Sequence, residues 1–129
     1  SHLESDLLSA NKSVLIISPY LSTIRSNCYL EIFKTLIQQG VRLTVITKPP
    51  DENEANRSVI ETLTALTVEV IAIPKIHQKI VLIDKQISWE GSMNWLSHRD
   101  TAEHIRRIDD RAMVLEVQEV LEKYLALRD

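Results

Sequence analysis

At 129 residues, 44% of them hydrophobic, the chain is long enough for one packed core and no more. No run approaches the ~18 consecutive apolar residues of a membrane span, no signal peptide is visible, and the lone Cys28 excludes an internal disulfide or a cysteine-rich zinc site. A net charge of −3 and an isoelectric point near 5.8 argue against a generic basic nucleic-acid binder, though a local cationic cluster could serve one. We therefore expect a single domain over residues 1–129, excised from a larger protein and working in the cytoplasm.

In chain order, Leu3, Leu7 and Leu8 suggest a short first helix. Val14-Leu-Ile-Ile-Ser18 is a continuous apolar run of strand length, the mark of a strand buried on both faces, and Pro19 stops it. Ser18, Tyr20 and Ser22 lie just past that strand, in a position to border a site, although a plain loop role is the simpler reading. Cys28 reads as a small core residue on a helix. Tyr29, Leu30, Phe33, Leu36 and Ile37 have helical spacing, and Gly40 caps the end. Val41 to Thr47 alternates as a strand. Glu54 to Leu66 is helical, with Val59, Ile60, Leu63 and Leu66 on one stripe, and Val68 to Ile73 is a third strand ended by Pro74. Alternating strands and helices imply right-handed crossovers. The fold class is therefore α/β, a mixed, largely parallel sheet with helices on both faces, and ligands in such sheets sit beyond the strand ends.

Next comes His77-x-Lys79-x4-Asp84-x6-Gly91-Ser92-x-Asn94. Lys79 to Asp84 reads as one strand and Ile87 to Glu90 as another. A tight hairpin needs only two loop residues, and Lys85-Gln86 are the natural choice. That register sets Asp84 opposite Ile87, Lys79 opposite Ser92 and His77 opposite Asn94. Side chains alternate along a strand, so His77, Lys79, Ser92 and Asn94 would share one patch. Two basic residues on one strand face repel each other unless an anion sits between them. Asp84 falls on the other parity, about 23 Å from His77 at ~3.3 Å per residue, and reads as a turn residue. Gly91 lets the backbone pass close to a phosphate or another strand. Trp89 and Trp95 flank it and could stack on bases, but Trp89, one residue off the site parity, is read first as core.

After the hairpin, a strand is expected near Glu103 to Ile108. The closing amphipathic helix carries Val117, Val120, Leu121, Tyr124 and Leu125. Lys75, Lys79, Arg99, Arg106, Arg107 and Arg111 gather within forty residues of sequence around the motif. Of these, Lys75, Arg99 and Arg106 are taken as nucleic-acid contacts; solvated surface charge is the alternative reading for Arg106 and Arg107. His98 and His104 have no cysteine or carboxylate spacing that suits a metal.

The pattern from His77 to Asn94 resembles the HKD motif of the phospholipase D superfamily, with all six of its named residue types present. The resemblance extends over nearly the whole chain: the apolar first strand, the long helix, the Gly40-Val41 step into the second strand, and the motif. It implies that His77 attacks phosphorus and forms a covalent phosphohistidine, that Lys79, Ser92 and Asn94 cradle the phosphate, and that neither metal nor other cofactor takes part. It also implies a glutamate after the motif that orients the histidine, for which Glu103 is the candidate. Asp84 and Gly91 complete the motif structurally. The chemistry suits these residue types. A phosphodiester transition state spreads charge over its non-bridging oxygens, so cations and hydrogen-bond donors carry much of the catalysis. A neutral histidine is a competent nucleophile, and a carboxylate on its other nitrogen fixes the tautomer.

The leaving oxygen needs a proton from a second group, in the resembled family the histidine of a second motif copy. This chain has one copy; His98 and His104 lack a lysine two residues on, and the Ser1-His2 start reads as a cloning remnant. Two-fold symmetry can supply the missing half, so a homodimer with a composite two-histidine site is expected; the second motif could instead lie elsewhere in a longer parent protein. The stretch from Gly91 to Thr101 is similar to phospholipase D-type domains appended to helicases and defence-associated ATPases, which implies a helicase or ATPase region in the parent protein and a DNA- or RNA-processing context. The leading function is a metal-independent nuclease. The alternatives are a nucleic-acid-binding or dimerisation module with little turnover, and a phospholipid phosphodiesterase, although no membrane segment accompanies the motif.

Overall fold

The computed structural model describes residues 2–21, 27–91 and 105–127. Among them run α1 (His2–Leu8), β1 (Ser13–Ile17), α2 (Leu30–Gln38), β2 (Arg42–Thr47), α3 (Asn56–Ala65), β3 (Glu69–Ala72), β4 (Ile80–Ile83), β5 (Ile87–Gly91), β6 (Ile105–Asp109) and α4 (Arg111–Leu127). The six strands form one sheet in the order β3-β2-β1-β4-β5-β6. The β1–β2 and β2–β3 pairs are parallel, while β1–β4, β4–β5 and β5–β6 are antiparallel. The α/β class and the mixed sheet are as the sequence suggests, but the parallel share is smaller than the alternation implied. Helices join β1 to β2 and β2 to β3; the chain then crosses from β3 past β2 and β1 to place β4 antiparallel beside β1, and a tight turn joins β4 to β5.

Alternation along each strand divides the interior in two. Val14 and Ile16 of β1, Leu43 and Val45 of β2, and Val81 and Ile83 of β4 face Leu3 and Leu7 of α1, Phe33 and Leu36 of α2, and Val59 and Leu63 of α3. Their neighbours Ile17, Ile46 and Leu82 face the other way, toward Val114 and Leu121 of α4. A continuous apolar run is what a doubly covered sheet requires, and Val14 to Ile17 of β1 supply it. Cys28 is exposed, in the turn before α2, and not part of the core. The core position is taken instead by its neighbour Tyr29, which is 3% exposed and stacks on Phe33.

Two helices hand over to their strands by the same device. After α2, Gly40 adopts φ +82° and the Val41 N–H donates to the Leu36 carbonyl. After α3, Thr67 adopts φ +69° and the Val68 N–H donates to the Leu63 carbonyl. Both are left-handed caps that satisfy orphan carbonyls. Glycine suits that conformation, whereas a β-branched threonine is strained in it.

Candidate active site

β1 and β2 end at Ile17 and Thr47, β3 ends at Ala72, and antiparallel β4 begins at Ile80 opposite Ile17. The segments Ser18–Leu21, Lys48–Pro50, Ile73–Lys79 and the end of β5 therefore issue from one end of the sheet. His77 and Lys79 lie in this group, just before β4. His77 is exposed and Lys79 half-buried. The Lys79 ammonium donates to the His77 carbonyl at 3.1 Å, which holds the cation beside the imidazole-bearing residue. The His77 N–H in turn donates to the Gln78 side-chain oxygen at 3.3 Å. Ile76, 1% exposed and packed with Leu82 and Val114, anchors the segment from below.

The hairpin register differs by one residue from the expected one. Ile83 pairs with Ile87 and Ile80 with Glu90, so Asp84, Lys85 and Gln86 all belong to the turn. Asp84 and Lys85 both have positive φ, at 54° and 56°, and the Gln86 N–H returns to the Ile83 carbonyl at 2.9 Å. The tight turn is centred one residue earlier than Lys85-Gln86, and Gln86 becomes an extra residue. Lys79 accordingly faces Gly91, whose N–H reaches the Lys79 carbonyl at 3.4 Å. Trp89, opposite Val81, has the parity of Lys79 and not the reverse. Its ring packs against the first core cluster, and its Nε1–H donates to Asp6 Oδ2 at 2.8 Å.

Ser92, Asn94, Arg99 and Glu103, together with Ser22, Trp95, His98 and His104, lie outside the described residues. Asp84 occupies the far end of β4 from His77. Its carboxylate accepts the N–H groups of Asn11, Lys12 and Ser13 at 2.9, 2.8 and 3.0 Å, which ties the hairpin turn to the start of β1. Burial pushes this carboxyl up, but the three backbone donors and the Lys12 charge outweigh it and hold it below the ordinary aspartate value. Lys75 is exposed, with φ +62°, and its N–H is held by both oxygens of Glu52 at 3.0 and 3.1 Å. Arg106 lies opposite Glu90 in the sheet and contacts it at 3.7 Å, while Arg107, on the reverse face, binds Asp6 at 2.7 Å. That Arg107 hydrogen bond leads the effects that hold the Asp6 carboxyl low, against the upward push of burial.

Sequence reasoning missed Asn56. It is fully buried at the first position of α3. Its Oδ1 accepts the Leu21 N–H at 2.8 Å, and its Nδ2 donates to the carbonyls of Pro19 and Lys48 and to Thr47 Oγ1 at 2.9–3.0 Å. One side chain thus pins the loops after β1 and β2 beside the site. The signal was present: Asn56 stands three residues before Val59 and seven before Leu63, a polar residue on an apolar stripe. Among the described residues no group of three histidine, cysteine or acidic side chains could hold a metal ion. A cavity of about 260 Å³ lies against α4 toward the other end of the sheet, lined by Ser13, Arg42, Thr44, Glu69, Lys85 and Gln118, away from His77.

The chain matches the family model described as "Cardiolipin synthase, PLD-like domain" over residues 3–125. It belongs to that PLD-like domain family, within the phospholipase D superfamily. NucT from Helicobacter pylori is similar in structure, with a TM-score of 0.78 and 23% identity, over 97% of this chain and 86% of that one. Nuc from Salmonella typhimurium, a phospholipase D family member, gives a TM-score of 0.76 and 11% identity, over 95% of this chain and 83% of that one. TrmBL2, an archaeal chromatin protein with a described mode of DNA binding, gives 0.69 and 15%, over 99% of this chain and 48% of its own. No curated protein sequence matches. Among the described residues no helix is long and apolar enough to cross a membrane.

Proposed function

We propose that the chain is a metal-independent phosphodiesterase that cleaves DNA or RNA through a covalent phosphohistidine at His77. The observation that carries this reading is the placement of His77 and Lys79 side by side, accessible, at the sheet end where the strand-end loops gather. A neutral His77 nitrogen attacks phosphorus, the P–O bond to the leaving group breaks, and the leaving oxygen takes a proton from a second acid. Water then attacks the phosphohistidine, the P–N bond breaks, and a phosphomonoester leaves. Lys79, Ser92 and Asn94 hold the non-bridging oxygens, where charge grows in the transition state. Glu103 orients the imidazole. The second acid is the partner's His77 in a homodimer, because two-fold symmetry brings one patch against its copy. Lys75 and Arg99 hold flanking phosphates. Arg106 joins them by exchanging its long, exposed contact with Glu90, which costs little.

The test is cleavage of end-labelled single- and double-stranded DNA and RNA in EDTA, beside His77→Ala. Cleavage should survive EDTA and fall on the order of a thousandfold or more in the variant, while binding stays nearly intact. Loss of cleavage in EDTA, or its persistence in His77→Ala, overturns the reading. A phospholipid diester is the second substrate class, supported by the family description naming cardiolipin synthase. Release of headgroup from anionic vesicles without cleavage of any nucleic acid would favour it. Binding that is weakened by Lys79→Ala, with no cleavage of either substrate, would favour a binding module.

A further inference from the structure

Leu8, Tyr20 and Met113 are the large hydrophobic side chains that the described residues leave exposed, and of these Tyr20 alone stands in a loop. That loop follows β1 at the sheet end that carries His77 and Lys79. Its backbone is held on both sides of the tyrosine. The Pro19 carbonyl accepts Asn56 Nδ2, Thr47 Oγ1 and the Lys48 N–H, and the Leu21 N–H is bound by Asn56 Oδ1. The Tyr20 carbonyl itself accepts the hydroxyl of buried Ser18 at 3.0 Å. The backbone from Ser18 to Leu21 is therefore held in place, yet Tyr20 is 40% exposed. The Lys48 ammonium lies 3.2 Å from the tyrosine hydroxyl and 4.9 Å from the ring centroid, toward the hydroxyl end of the ring.

A surface cation–aromatic pair adds little to folding, so stability alone gives weak reason to fix an exposed aromatic ring here. A flat apolar surface next to a lysine ammonium matches the two parts of a nucleotide, a base that stacks and a phosphate that needs charge. We infer that Tyr20 and Lys48 form the subsite for the nucleotide adjoining the scissile phosphate, with the unpaired base on the Tyr20 ring and its phosphate on the Lys48 ammonium. The inference rests on the nuclease reading above and adds two binding residues to it.

The test is an abasic scan. A short fluorescent oligonucleotide is made intact and with a single abasic position at each site around the cleaved linkage, and KM and kcat are measured for the unmodified protein, Tyr20→Ala and Tyr20→Phe. One abasic position should raise KM about tenfold in the unmodified protein, in the range that base stacking on an aromatic side chain supplies. In Tyr20→Ala that position should no longer matter, since the stack is already gone, whereas Tyr20→Phe should keep the sensitivity. An abasic penalty of equal size in Tyr20→Ala, or no penalty at any position, overturns the subsite. Failure of the unmodified protein to bind or cleave any oligonucleotide is a different result: it removes the nuclease reading and the subsite with it.

Discussion

Three N–H groups converge on the Asp84 carboxylate, and a second aspartate, Asp6, gathers the indole of Trp89 and the guanidinium of Arg107. Neither aspartate stands at the His77 end of β4, and both act on the frame that holds it. Asp84→Asn removes at least one acceptor while tolerating the positive φ, so unfolding free energy at neutral pH should drop by about 1–2 kcal/mol. The pH dependence follows from the direction of the shift. Both carboxyls are held below the ordinary aspartate value, so their contribution is complete above about pH 4 and disappears as pH falls through the folded value. Urea titrations at several pH values should show the gap between the natural protein and Asp84→Asn closing on acidification. A gap that stays constant down to pH 2 would mean the carboxylate charge is not what the backbone donors recognise.

Elements were legible wherever apolar periodicity spoke, and less so where turn chemistry decided. β1, α2, β2, α3 and the closing helix follow from their stripes, and the core residues Phe33, Leu36, Val59 and Leu63 are those the spacing picks out. The β4–β5 register was misjudged by one residue because the sequence Asp84-Lys85-Gln86 carries no glycine to mark its left-handed positions, so the tight turn could be centred one residue early or late. Asn56 escaped because a buried asparagine looks like a loop residue until its five partners, Asn53 among them, are seen. Asn56→Ala leaves the Leu21 N–H and the Pro19 and Lys48 carbonyls short of a partner and should cost about 2–4 kcal/mol in thermal or denaturant unfolding. At the end of α3 the effect has the opposite sign. Thr67→Gly relieves a β-branched residue at φ +69° and should stabilise by about 1 kcal/mol, raising Tm by several degrees. A lower Tm would show that the Thr67 side chain contributes more than its backbone conformation costs.

At the scale of the whole molecule, the six-stranded sheet delivers His77 and Lys79 to one end of its strands, while two-step displacement at phosphorus needs a proton donor besides the nucleophile. The proposed dimer supplies it, and sedimentation should give a species of twice the 14.8 kDa chain whose specific activity declines on dilution. Full activity in a strict monomer would contradict it. The core of the account is the covalent step at His77, and stereochemistry at phosphorus tests it most directly. Each in-line displacement inverts phosphorus, so attack by His77 followed by attack of water must restore the starting configuration. Hydrolysis of a chiral phosphorothioate dinucleotide in isotopically labelled water should therefore proceed with net retention. Net inversion would mean a single direct attack by water, and would contradict a covalent intermediate at His77.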